Sequence, residues 1–136
     1  MSTIVCITMK AAQNLNATQV AGVSLGLHCI TTGLKELNYA YEKNKEITDC
    51  NNQIVEVQLL IKTLEGKVIG IIEKQEGFEF VANDINCAIT QAAIKKIKQR
   101  YSKYTLLHEL ESKGYAKIKE EKLPNGKIRM AVEKWE

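Results

Sequence analysis

Residues 99–135 read QRYSKYTLLHELESKGYAKIKEEKLPNGKIRMAVEKW, and this stretch decides the fold. Its first part is the end of a long basic helix. Working backward, Ile85, Ile89, Ala93, Ile97, Tyr101, Tyr104 and Leu107 step by three or four residues, as one face of a helix requires. Asn83 or Asp84 is placed to cap the start. Gly114 stands where a left-handed C-terminal cap belongs, so the spacing predicts a helix end near Lys113. Residues 115–123 and 127–135 then form a β-hairpin turned at Pro124-Asn125-Gly126. Alternation sends Ile128, Met130 and Val132 to its inner face.

The same rules extend toward the N-terminus. The opening TIVCITM, residues 3–9, is β-branched and apolar and reads as a strand. Val20, Val23, Leu27, Ile30, Leu34 and Leu37 recur at helical spacing, with Thr18 as a cap. Gly22, Gly26 and Gly33 weaken that helix by about 1 kcal/mol each relative to Ala. They mark two shorter helices or a place where another backbone packs closely. Residues 39–52 are polar and charged and read as a loop, with room for a short strand over 39–43. Val55, Val57, Leu59 and Ile61 give a strand with one fully apolar face. A turn at Leu64-Glu65-Gly66 leads to a strand over 68–74, in which Gly70 suggests a bulge or close approach. A turn at Gln75-Glu76-Gly77 leads to a third over 78–82. Short glycine-containing loops favour an antiparallel meander. The order β-α-βββ-α-ββ predicts an α+β two-layer sandwich, a mostly antiparallel sheet with two helical segments on one face.

The 136 residues fit one domain spanning 1–136, and 45% hydrophobic content suits a globular chain. A formal net charge of +3 is mild for a dedicated nucleic-acid binder. No apolar run of membrane-spanning length is present, so no membrane association is expected. The N-terminus reads as a strand, not a signal peptide, and a cytoplasmic location is expected. Cys6, Cys29, Cys50 and Cys87 lie in four segments without CxxC spacing, which favours separate thiols over a zinc site or disulfides. No cofactor or metal is expected.

Catalytic signatures are missing from the sequence. His28 and His108 belong to no motif with a nucleophile, and His108, Glu109 and Glu111 spread around a helix instead of stacking at i, i+4. Lys95, Lys96, Lys98, Arg100 and Lys103 make a basic stretch that suits either phosphates or plain solvation. Arg100 is read either as a partner to a carboxylate or phosphate of another molecule, or as internally bonded, with Tyr101 in the helix seam. Trp135 is either a pin for the last strand or a partner contact.

Two blocks give a resemblance. The first is GKVIGIIEKQEGFEFVAND, residues 66–84. The second holds Gln99-Arg100-Tyr101, Glu109, Gly114-Tyr115, Asn125-Gly126, Ile128-Arg129-Met130, Val132 and Trp135. They resemble the family called hypothetical chloroplast reading frame thirty-five, found in plastids, cyanobacteria and other bacteria. The blocks cover a little over two fifths of the chain. The N-terminal half departs, with a longer and more apolar helical region over 13–37. The family brings no catalytic residues. The resemblance implies a small accessory protein, in bacteria often encoded beside an AAA-type ATPase and a second small protein.

The expected function is therefore a non-catalytic accessory or adaptor protein that works through protein–protein contacts, with an AAA-type ATPase and a small companion as partners. The expected contact residues are Lys95, Lys96, Arg100, Tyr101, Lys103, Arg129 and Trp135. The alternative is a nucleic-acid-binding module using the basic long helix. Self-association is left open.

Overall fold

A computed structural model describes residues 2–9, 19–20, 23–74, 77–124 and 126–135. Its elements are β1 (Ser2–Met9), β2 (Gln19–Val20), β3 (Val23–Ser24), α1 (Leu25–Glu36), β4 (Ala40–Thr48), β5 (Ile54–Lys62), β6 (Val68–Lys74), β7 (Gly77–Val81), α2 (Ala88–Ser112), β8 (Tyr115–Lys122) and β9 (Ile128–Trp135). The class is α+β. The strands divide into a four-stranded sheet ordered β4-β5-β6-β7, a three-stranded sheet ordered β1-β9-β8 and the small β2-β3 pair, all antiparallel.

Two apolar cores organise the molecule. The larger joins Cys29, Ile30 and Leu34 of α1, Leu59 and Ile61 of β5, Ile69 and Ile71 of β6, and Ala93, Ile94, Ile97 and Tyr101 of α2. The second joins Leu107 of α2 to Ile128, Met130 and Val132 of β9, the inner face that alternation predicts. α2 runs through both, and Tyr104 packs against each. A smaller cluster of Ile47, Val57 and Val81 is built around Gly70, where an added Cβ would sit 2.6 Å from Val57 Cγ1. Gly70 is thus a close approach between strands.

α1 is shorter than its apolar spacing predicts. It begins at Leu25, and residues 19–20 and 23–24 pair as strands. Gly26 and Gly33 both lie inside α1, whereas Gly22 and Thr18 lie outside the described residues. The helix ends in a Schellman motif with Asn38 left-handed at φ 61°. Tyr39 N–H donates to the Leu34 carbonyl at 2.9 Å and Asn38 N–H to the Lys35 carbonyl at 3.1 Å. Both Leu34 and Tyr39 enter the larger core, so the cap also fixes the path into β4.

β4 replaces most of the loop expected over 39–52. It is an edge strand, nearly all of it exposed, so burial imposes no alternation on its sequence. The N-cap of α2 is Cys87, three or four residues after the predicted cap. The Asp84 carbonyl accepts from Cys87 N–H at 2.8 Å, and the Asp84 carboxylate accepts from Lys67 Nζ at 2.9 Å instead of capping the helix. At the other end Gly114 takes φ 91°, the left-handed conformation its position predicts. No described helix is long and apolar enough to cross a membrane.

Candidate functional site

α2 is buried on a broad arc because α1 and both large sheets pack on it. Thr90, Ala93, Ile94, Ile97, Gln99, Arg100, Tyr101, Lys103 and Leu107 are all buried. Besides the small polar Thr90, three of these, Gln99, Arg100 and Lys103, are long polar or charged side chains in a place where an unpaired charge would be costly. Their partners come from three other parts of the chain.

Glu36, the last residue of α1, receives most of the charge. Lys103 Nζ donates to its two carboxylate oxygens at 2.8 and 2.6 Å. Arg100 Nε lies 2.7 Å from Oε1, a charge contact without hydrogen-bond alignment. The Tyr104 hydroxyl donates to Oε2. On its other side Lys103 meets Glu120 of β8 at 3.2 Å, and Glu120 also meets Lys117 at 3.3 Å. Arg100 Nη1 donates to Gln99 Oε1 at 2.9 Å, and Gln99 Nε2 donates to the Gly126 carbonyl in the β8–β9 turn. One polar network thereby ties α1, α2 and the terminal hairpin together.

The network exists because the helices cross closely. At Gly33 an added Cβ would lie 2.7 Å from Arg100 Cβ. A side chain there would push α1 away and carry Glu36, one turn later, out of reach. Burial pushes the Glu36 carboxyl up, but hydrogen bonds from Lys103 and Tyr104 and the charges of Lys103 and Arg100 outweigh it. The carboxyl ends below its ordinary value. The Tyr104 phenol goes up, through burial first and then through donating to Glu36.

The seven residues singled out from sequence do not form one surface. Arg100, Tyr101 and Lys103 are inside, at 3%, 4% and 1% exposure. Tyr101 meets Phe78 edge-on at a centroid distance of 5.6 Å, in the helix seam. Lys95 and Lys96 are exposed on the outer side of α2. Neither has a carboxylate partner among the described residues. Arg129 is exposed on β9, 3.7 Å from Glu121 of β8. Trp135 ends β9, opposite Ser2; its side chain lies outside the described residues. Glu36 was not among the seven. A glutamate at a helix end looks ordinary, and only the crossing at Gly33 gives it a role.

The solvent side of the β1-β9-β8 sheet presents a second feature. Cys6 of β1 and Lys119 of β8 both pair with Ala131 of β9, and Ile4 pairs with Glu133. A bulge between Lys117 and Lys119 holds Ile118 beside them. Ile4 and Ile118 are 59% and 52% exposed, with Lys119 and Arg129 nearby on the same face. Among the described residues no group of three or more His, Cys, Asp or Glu is placed to hold a metal ion.

The model of the DUF1257 family, described as a protein of unknown function, matches residues 33–131. This chain belongs to the DUF1257 family. It is also similar to the uncharacterized protein ycf35 of Cyanophora paradoxa, 25% identical over 123 residues that cover 87% of this chain and 95% of that protein. No solved structure matches. The DUF1257 match begins at Gly33, the crossing glycine, and takes in Glu36, Gln99, Arg100, Lys103, Tyr104 and Glu120. The whole network around the buried Arg100 and Lys103 therefore lies within the matched region.

Proposed function

We propose that this chain is a non-catalytic accessory or adaptor protein of the cytoplasm that acts through protein–protein contacts. The resemblance implies an AAA-type ATPase and a small companion protein as its partners. The observation that supports an adaptor is the solvent side of the β1-β9-β8 sheet. Two isoleucines stand in water there beside Lys119, Arg129, Glu121 and Glu133, and this grouping suits a partner surface that is apolar at its centre and mixed in charge at its rim. Arg100 and Lys103 serve such a surface indirectly, by fixing the hairpin that carries it.

The test is a tagged, nuclease-treated pull-down from the native host with wild type and the Ile118→Glu/Arg129→Glu double variant. Both substituted residues are exposed, so circular dichroism and melting should be unchanged. Partner recovery near one to one with wild type, reduced about tenfold in the variant, is the expected result for two central contacts. Undiminished recovery with an intact variant would remove this surface from the proposal. A second reading, nucleic-acid binding, draws on Lys95 and Lys96 and their lack of carboxylate partners among the described residues. Loss of all partners on nuclease treatment, with affinity falling steeply in salt, would favour it.

A further inference from the structure

β4 carries a left-handed residue in its middle, Asn44 at φ 55°. The other two left-handed non-glycine residues among those described have turn roles. Asn38 closes α1, and Asn52 lies between β4 and β5. Asn44 interrupts a ladder instead. Lys43 pairs with Leu59 and Lys45 with Val57, while Asn44 and Gln58 between them do not pair. A backbone held in this region inside an element is often part of a ligand site. It also changes which residues share a face. In a regular strand, alternation would send residue 44 to the face opposite Lys43. Here Lys43 and Asn44 line the same cavity.

That cavity holds about 340 Å³ and opens between the first half of α1 and the edge of the four-stranded sheet. Its floor is apolar. Leu59 is buried in the larger core, and Leu27 packs against that core. Lys43 pairs with Leu59, so the two share the α1 side of the sheet. His28 of α1, Asn44 and Gln58 bring polar groups around the floor. Gln58 Oε1 accepts from Glu73 N–H at 2.8 Å, which fixes the amide and leaves Nε2 as its donor. No described lining residue is acidic. Among the described residues, no carboxylate pairs with Lys43, and no hydrogen bond engages the Asn44 amide or the His28 ring. The neighbouring cavity, which Asn44 also lines, has the other character. Glu46 and Glu56 line it and pair across the strands, and Lys45 beside them meets Glu42 at 4.0 Å. Acidic groups are thus kept to one side of Asn44 and unspent donors to the other.

We propose that the cavity between α1 and β4 binds a small monocarboxylate with a short apolar tail. The carboxylate oxygens accept from Lys43 Nζ and from the side-chain amides of Asn44 and Gln58, and the tail lies over Leu27 and Leu59. The volume is at the lower end of the range for small-molecule sites, which limits the tail to a few carbons. One lysine balances one negative charge, and Glu46 and Glu56 next to the site disfavour a second, so a phosphate dianion fits less well. The site is built on the four-stranded sheet, not on the β1-β9-β8 surface, and stands independently of the adaptor reading.

The experiment is a titration of the full ¹⁵N-labelled chain, read by amide chemical shifts at constant pH and ionic strength. The probes are sodium hexanoate, sodium acetate, hexylammonium chloride, hexan-1-ol and inorganic phosphate. Hexanoate should shift amides in 27–31, 43–45 and 57–59 along one saturating curve. It should bind about tenfold tighter than acetate, from methylenes laid on the two leucines. Hexylammonium, hexanol and phosphate should all bind more weakly than hexanoate. Lys43→Met should weaken hexanoate about tenfold, the loss expected for one charge-assisted hydrogen bond. Asn44→Gly separates binding from backbone shape. A kink also guards an edge strand, and glycine keeps the left-handed conformation while removing only the amide. That variant should melt no lower than wild type yet bind hexanoate about threefold more weakly. Both substituted residues are exposed, so neither change threatens the fold. Absence of saturation with hexanoate would overturn the proposal, as would hexanol or phosphate binding as tightly as hexanoate. Wild-type affinity in Asn44→Gly would do the same, since Asn44 would then serve the backbone alone.

Discussion

At the residue scale the decisive side chain is Glu36. It is the acceptor for two cations that are almost completely buried. Replacing it by Gln keeps the shape but leaves Arg100 without a carboxylate and Lys103 with only Glu120. Removing one member of a buried ion pair typically costs more than removing the pair. Lys103→Met is the contrasting change. It deletes a charge, fills much of the same volume, and leaves Glu36 with Arg100 and Tyr104 and Glu120 with Lys117. Glu36→Gln should therefore destabilise by about 3 kcal/mol and Lys103→Met by about 1 kcal/mol. Urea denaturation at neutral pH measures both. If Lys103→Met proves the costlier, Lys103 is held by its stem packing more than by its charge, and the network has been misjudged. None of this was legible in the basic stretch itself, since a lysine on a helix is usually solvated. The buried positions around it, Arg100 at i−3 and Leu107 at i+4, were the available signal.

At the element scale, segments with strong periodicity were readable and segments without it were not. β5 and β9 carry alternation against a core, β6 is a short apolar run buried at Ile69, Gly70 and Ile71, and α2 carries a helical seam, so pattern and structure coincide there. β4 has the composition of a loop because it pairs along one edge only and covers no core over most of its length. Ile89 fits the seam spacing yet is 48% exposed, because α2 has only just begun there. The long-range pairing of β1 with β9 has no local signature at all. The cap at Gly114 was legible because left-handed geometry demands a particular residue. A Cβ there would meet nothing closer than Lys134 Cε at 3.6 Å, so the penalty is confined to the backbone. Gly114→Ala should lower stability by about 1 kcal/mol without changing the fold. Thermal melting of that variant is the check, and an unchanged midpoint would mean that the cap relaxes away from φ 91° at no cost.

At the scale of the whole molecule the two cores meet along α2, and the Glu36–Lys103–Glu120 bridge binds α1 and α2 to the terminal sheet. That arrangement gives acid unfolding an order. Glu36 has a folded pKa below its ordinary value, so its contribution is fully present at neutral pH and survives down to the usual carboxylate range near pH ~4.3. It is lost as pH falls through the depressed folded value, when protonation removes the charge that neutralises Arg100 and Lys103. The larger core has two helices and a four-stranded sheet to sustain it, whereas the second core rests on Leu107 and one face of a three-stranded sheet. β1, β8 and β9 should therefore open before β5 and β6. Hydrogen exchange resolved by peptide, with rates corrected for intrinsic pH dependence, should show protection in 2–9 and 115–135 falling below about pH 4 while 54–74 stays protected. Simultaneous loss in both regions would mean that the cores unfold as one unit and that the bridge does not govern the docking of the terminal sheet.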